Sequence, residues 1–142
     1  YKGLPKPLST DTIVDGGACG RERPDRVYDF GDKLVVFECD EHQHRERACL
    51  CEQTRMVNIA QSFGGTPIYF LRWNPDDYAT GSDRKMPEAI AKRHKLLGDL
   101  IRDIWKGKIE LPNCLAAAIY LYYDGWEGLH AEPWKVLLEL EA

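Results

Sequence analysis

The sequence predicts an α/β domain in which a mixed central β-sheet is flanked by helices. Three patterns lead to this expectation: a β-hairpin over residues 27–37, an amphipathic helix over 46–63 and an apolar strand over 67–73. The composition is ordinary for a globular protein, with 44% hydrophobic and 30% charged residues, which excludes disordered, collagen-like and coiled-coil proteins. Because 142 residues bury a full core without cross-links, we expect a single domain over 1–142.

The N-terminal part of the chain predicts an irregular lead-in followed by a hairpin. Residues 1–23 contain six Pro and Gly residues and no sustained periodicity, and a short strand is predicted only at 12–14. Val27 to Phe30 then lead through the turn at 31–33 into the apolar run from Leu34 to Phe37. Its β-branched composition predicts a central strand that is buried on both faces.

The next two elements complete the predicted core, which spans 24–78. Apolar residues recur at helical spacing from about Glu46 to Phe63, and Gly64 and Gly65 close that helix. The strand pattern from Pro67 to Trp73 ends at a turn cluster, Asn74-Pro75-Asp76-Asp77.

The remaining part, 84–142, predicts a basic helix and C-terminal elements. Pro87 opens a helix that runs to about Trp105. Residues 116–123 fit a strand or a helix, 124–126 fit a turn, and 133–140 are predicted as a short helix. The tyrosines at 120, 122 and 123 either pack in the core or stack on bases of an opened nucleic-acid strand.

Charge is distributed unevenly along the chain. The formal net charge of −4 argues against a general binder of polyanions. Residues 84–108, however, contain eight basic and three acidic side chains, a net charge of +5. This helix is predicted to present a cationic stripe, which is either a solvated face or a surface that contacts DNA phosphates: Lys92, Lys95, Arg102 and Lys106.

Cysteine usage and hydropathy indicate the compartment. Five cysteines are an odd number in a chain with a good core, which favours a reducing, intracellular location. No stretch approaches the roughly 18 apolar residues of a membrane span, so no membrane partner is expected. A structural Zn²⁺ site is one interpretation of four side chains, with His44 as an alternative to the histidine: Cys19, Cys49, Cys51 and His42. The other interpretation is that Cys49 packs in the core.

Three carboxylates are predicted to meet at neighbouring strand ends. Glu38 and Asp40 lie two residues apart on one strand and therefore share a face, and Asp25 begins the strand that pairs with it. Such a group repels itself unless a cation lies between its members, and oxygen ligands suit Mg²⁺. Solvated acidic residues at a strand exit are the alternative.

The order of these residues carries a family resemblance. Pro24-Asp25, then Glu38-x-Asp40 on an apolar strand, then His44, a helix with Glu52-x-x-Arg55, and a strand ending in Arg72 resemble the PD-(D/E)XK restriction-endonuclease-like nucleases, near the very-short-patch-repair endonucleases. The sequence is also similar to nuclease-like proteins of large DNA viruses of algae and protists. The resemblance covers about residues 16–78 and implies a restriction-endonuclease-like core that uses Mg²⁺ or Mn²⁺ to cut DNA.

One position departs from the family pattern. The usual lysine two residues after the glutamate is replaced by Asp40, so the residue that orients water or stabilises charge must come from elsewhere. The candidates are His44, Gln43 and Arg55. Arg55 either binds phosphate or forms a salt bridge with Glu52 or Glu38.

The sequence therefore predicts a Mg²⁺-dependent DNA endonuclease with Asp25, Glu38 and Asp40 as metal ligands. Alanine at Asp25 or Glu38 is expected to abolish nicking and to leave the fold intact. The alternatives are a nuclease-like domain that binds DNA without cutting it and a zinc-stapled interaction module. The start at Tyr1 suggests a domain from a larger polypeptide in the nucleus, the cytoplasm or a viral factory, and a homodimer is compatible with the sequence.

Overall fold

The computed structural model describes residues 9–10, 14–15, 21–22, 26–39, 49–76, 90–124 and 126–140. Within these ranges the chain forms eight strands and two helices. In chain order they are β1 (Ser9–Thr10), β2 (Val14–Asp15), β3 (Arg21–Glu22), β4 (Arg26–Asp29), β5 (Leu34–Cys39), α1 (Cys49–Ser62), β6 (Ile68–Trp73), α2 (Ile90–Trp105), β7 (Ala116–Leu121) and β8 (Lys135–Leu138).

Six of the described strands form one mixed sheet in the order β1-β4-β5-β6-β7-β8. The central pairs β5-β6 and β6-β7 are parallel, and the outer pairs β1-β4, β4-β5 and β7-β8 are antiparallel. Strands β2 and β3 pair separately as a short antiparallel ribbon. The α/β class with a mixed central sheet is thus confirmed.

The predicted hairpin is confirmed. Strands β4 and β5 pair from Arg26 opposite Phe37 to Asp29 opposite Leu34. The turn is closed by a 2.9 Å hydrogen bond from the backbone N–H of Phe30 to the carbonyl of Lys33, and Gly31 adopts a φ of 92° there. Strand β5 lies between β4 and β6 with Leu34, Val35 and Val36 buried, as expected of a central strand.

The two helices cover opposite faces of the sheet. Helix α1 packs Met56, Ile59 and Ala60 against one face, which includes Val36 and Phe70. Helix α2 packs its apolar stripe against the other face through four buried side chains: Leu97, Leu100, Ile101 and Ile104. Both helices, like the intervening strand β6, agree with the sequence patterns, because apolar residues at helical spacing need one buried side.

The C-terminal prediction of a short helix over 133–140 is wrong. Residues Lys135–Leu138 instead form strand β8, which pairs with β7 through a ladder that is irregular between Ala116 and Ala117. A helix this short has little stability of its own, whereas pairing with β7 satisfies backbone groups at the edge of the sheet. Residues 116–121, for which strand and helix were both open, form strand β7.

In the part of the chain that the structure describes, no helix has the length and apolar character needed to cross a membrane.

Candidate functional site

Glu38, Arg72 and Tyr120 form a polar row where the three parallel strands end. Glu38 is paired in register with Arg72, and Arg72 is paired with Tyr120. Residues in register on neighbouring strands project from the same face of a sheet. This face is the one that α1 covers, because Arg55 of α1 bonds Glu38 there. We call this end of the sheet, where β5, β6 and β7 finish, the carboxyl edge.

Glu38, Arg55 and Arg72 form a buried ionic cluster, called here the glutamate cluster. The side-chain oxygen Oε2 of Glu38 accepts a hydrogen bond from Nη1 of Arg72 at 2.7 Å and another from Nη1 of Arg55. Relative exposures are 4% for Glu38, 7% for Arg55 and 1% for Arg72. Two guanidinium groups around one carboxylate give the cluster a formal charge of +1.

The positions of these residues follow from the neighbouring apolar ones. Glu38 continues the face of β5 that carries Leu34 and Val36, because side chains alternate along a strand. Arg55 directly precedes Met56, whose side chain is buried in the core under α1. Burial of charged groups is tolerated only when they are paired, so the core and the ionic cluster depend on each other.

The second carboxylate oxygen of Glu38 is in a different situation. Oε1 is buried, and among the described residues it has no hydrogen-bond partner. A buried acceptor without a partner loses its hydration without compensation, at a cost of about 1–3 kcal/mol and more for a charged group. A cation or a hydrogen-bond donor at Oε1 would remove that cost, so this oxygen fits a metal ligand.

A third buried arginine, Arg93, fixes the loop that follows β6. Nη1 of Arg93 donates to the carbonyl oxygens of Asn74 at 3.1 Å and of Asp76 at 2.8 Å. The side chain of Asn74 accepts from the backbone N–H of Asp76 at 3.0 Å and donates to the carbonyl of Tyr122 at 2.8 Å. The turn cluster predicted at 74–77 is therefore observed at Asn74 and Asp76, and Arg93 joins it to α2.

The structure brings together only part of the predicted site. Glu38 and Arg55 are in contact, so the salt bridge expected between them as one interpretation of Arg55 is observed, whereas the side chain of Glu52 lies outside the described part of the chain. Some predicted residues lie outside the described part of the chain: Asp25, Asp40, His42, Gln43, His44 and Cys19. Cys49 and Cys51 belong to the first turn of α1, where the side chains are outside the description. Among the described side chains, no three His, Cys, Asp or Glu residues form a group that could hold a metal.

Sequence reasoning did not find the role of Arg72. In the family resemblance this arginine entered only as the last residue of a strand. Its pairing with Glu38 depends on the parallel register of β5 and β6. An arginine at the end of an otherwise apolar strand was the available signal, since such a residue needs a buried partner.

The predicted cationic stripe on α2 is interrupted by Asp99. Lys95 donates to this carboxylate at 2.8 Å and Arg102 donates to it at 3.1 Å. The hydrogen bond from Lys95, together with the positive charges of Lys95 and Arg102, holds the pKa of Asp99 below its ordinary value. Lys95 remains 77% exposed, so these surface pairs contribute little to stability.

The basic residues of this stripe are spread along α2, which extends from the carboxyl edge of the sheet to the opposite edge. The ring of His94 lies 4.9 Å from that of Trp73, the last residue of β6, so α2 begins at the carboxyl edge. The ring of Trp105 lies 6.2 Å from that of Phe30 in the hairpin turn, so α2 ends at the opposite edge. Lys92 and Lys95 are consequently closer than Arg102 and Lys106 to the edge that carries the glutamate cluster, although α2 covers the other face.

Comparisons with protein-family models, with curated proteins and with solved structures find no match for this chain.

Proposed function

We propose that this protein is a Mg²⁺- or Mn²⁺-dependent DNA endonuclease, with its active site at the carboxyl edge of the sheet. Glu38 carries the proposal: one of its carboxylate oxygens is fixed by two arginines, and the other is buried without a partner among the described residues. Ligands of α/β sheets commonly bind outside the carboxyl ends of the strands, and this glutamate lies there.

The chain topology supports the proposal. The antiparallel hairpin β4-β5, helix α1 and the parallel strand β6 follow the order that the resemblance to restriction-endonuclease-like nucleases implies. Asp25 immediately precedes Arg26, and Arg26 is paired with Phe37, the neighbour of Glu38. Asp25 and Glu38 are thus each one residue away from the same cross-strand pair.

In this proposal the metal is held by Asp25, Glu38 and Asp40. When bound, it would stabilise negative charge on a phosphoryl oxygen and acidify the attacking water. Arg55 and Arg72 fix the orientation of the Glu38 carboxylate, and the bound metal together with these two guanidinium groups would attract the phosphate. Gln43 or His44 positions the water, because Asp40 occupies the place of the usual lysine.

The test is nicking of supercoiled plasmid in Mg²⁺ or Mn²⁺ by the wild type and by Asp25→Ala and Glu38→Gln. We expect both variants to lose nicking. Asp32→Ala is the matched control, because the Asp32 side chain is 76% exposed in the hairpin turn at the opposite edge of the sheet. Circular dichroism verifies that each variant is folded. Undiminished nicking by Asp25→Ala would defeat the assignment.

A domain that binds DNA without cutting it is the second candidate. The observation in its favour is that two buried arginines already hold Glu38, which is the arrangement expected of a carboxylate with a structural role. This candidate predicts salt-sensitive DNA binding with no nicking in either metal. Metal-dependent nicking by the wild type that Asp25→Ala abolishes would exclude it.

A further inference from the structure

Tyr122 has a backbone conformation that is unusual for a residue of its kind. Its φ is +63°, and it is the only non-glycine residue with positive φ in the described part of the chain. Its surroundings hold it there: the guanidinium carbon of Arg93 lies 5.0 Å from its ring centroid, the ring of Trp126 lies 4.9 Å away, and Asn74 bonds its carbonyl. Strained residues that are held in this way are concentrated at functional sites.

The strained residue changes the face on which the following side chain lies. In a continuing strand, Tyr122 would share a face with Tyr120, and Tyr123 would lie on the other. Tyr122 instead packs in the core under α2, together with Leu121. The ring of Tyr123 lies against that of Tyr120 on the α1 face, with their centroids 5.0 Å apart and the planes at 84°. Tyr123 is thereby added to the polar row of Glu38, Arg72 and Tyr120.

The hydroxyl group of Tyr123 is buried and has no hydrogen-bond partner among the residues that the structure describes. Oε1 of Glu38 shares this property and lies on the same face at the same edge. A tyrosine hydroxyl buried in a protein ordinarily finds a partner, so a hydroxyl placed here suggests that a ligand completes the bond.

We propose that Tyr123 is a substrate-binding residue whose hydroxyl donates a hydrogen bond to a phosphate oxygen of a bound DNA strand. The inference rests on the proposed function for the nature of the ligand. An anionic oxygen suits this location, because the guanidinium groups of Arg72 and Arg55, which bind carboxylate and phosphate oxygens alike, lie in the neighbouring cluster. The strain at Tyr122 is the cost of placing the hydroxyl on this face.

The experiment compares Tyr123→Phe with Tyr69→Phe, which removes a hydroxyl that does have a hydrogen-bond partner inside the protein. Tyr69 donates its hydroxyl to the carbonyl of Pro112 at 2.9 Å, so its hydrogen bond is internal to the protein. DNA affinity is measured by fluorescence anisotropy of a labelled duplex oligonucleotide in Ca²⁺, and stability by thermal unfolding. We expect Tyr123→Phe to weaken DNA binding about 10-fold and to leave the melting temperature unchanged or raised. Tyr69→Phe should lower the melting temperature and leave DNA affinity unchanged.

The inference is overturned if Tyr123→Phe binds DNA as tightly as the wild type. It is also overturned if the variant has a lowered melting temperature, because that result would reveal a hydrogen-bond partner inside the protein. The experiments distinguish failure of the endonuclease proposal from failure of the inference about Tyr123. If the wild type nicks plasmid and Tyr123→Phe binds DNA normally, only this inference falls. If the wild type nicks nothing but Tyr123→Phe loses DNA affinity, the endonuclease proposal falls and this inference stands. A wild type that binds no DNA overturns both.

Discussion

Replacing Glu38 with alanine should destabilise the protein strongly. The change leaves Arg55 and Arg72 buried without the carboxylate that bonds both of them. Because their Nη1 atoms share one oxygen, they lie within about 5 Å of each other. At an effective dielectric constant of about 20, two unit charges at that distance repel by about 3 kcal/mol.

The total loss should be about 3–5 kcal/mol, as is typical when one partner of a buried ion pair is removed. That is a large part of the roughly 5–15 kcal/mol by which domains are stable. At about 4 °C per kcal/mol for a chain of this size, the melting temperature should fall by about 12–20 °C. Glu38→Ala is therefore unsuited to the nicking test, although the sequence led us to expect that it would leave the fold intact. Glu38→Gln is used instead, because it retains a hydrogen-bond acceptor for the two arginines.

The assay is urea unfolding followed by tryptophan fluorescence, with three comparison variants. Glu110→Ala, at an exposed position, should change the free energy of unfolding by less than about 0.5 kcal/mol. Arg72→Met should cost less than Glu38→Ala, because Glu38 keeps Arg55. The double variant should lose less than the sum of the two, since removing Arg72 also removes its repulsion with Arg55. A loss below about 1 kcal/mol for Glu38→Ala, or strict additivity, would refute this reasoning.

Three further predictions concern other parts of the chain. Alanine at both Lys92 and Lys95 should reduce the salt dependence of DNA binding by about 1–2 in slope, whereas Lys106→Ala, directly after the other end of α2, should not; equal effects would contradict the assigned edge. Arg93→Met should cost about 2–4 kcal/mol in urea unfolding, because two hydrogen bonds and a ring contact are lost, and a loss under 1 kcal/mol would speak against that network. Burial, with smaller contributions from nearby acidic groups, raises the pKa of Tyr69 above 10.0, so stability should fall as pH rises above about 10, where the unfolded chain loses this proton first. Tyr69→Phe should be less stable at neutral pH but show a flatter alkaline decline, and an unaltered decline would contradict this.

Local patterns were sufficient for both helices and for three of the six described strands of the main sheet, whereas β1 lies in the stretch predicted as an irregular lead-in. The hairpin, both helices and strand β6 were predicted because apolar residues at period 2 or 3.6 require one buried side, wherever in the fold that side is covered. The prediction failed at 135–138, where the same short apolar segment is a strand only because β7 offers an unpaired edge. An edge of that kind is not visible in the sequence of the segment.

In the candidate site too, some features follow from local sequence patterns and others only from tertiary contacts. The sequence alone determined that Glu38 would end a buried strand and that an arginine at position 55 would lie on the next helix, because both follow from the apolar residues beside them. Only the tertiary structure decided that Arg55 and Arg72 share one oxygen of Glu38, since those contacts join residues 17 and 34 positions apart. It alone also brought Tyr123 back to the face of Tyr120, through a backbone angle at Tyr122 that packing against Arg93 and Trp126 maintains. Periodicity is local and can be read from a segment, whereas pairing between distant charges and strain held by packing exist only once the chain is folded.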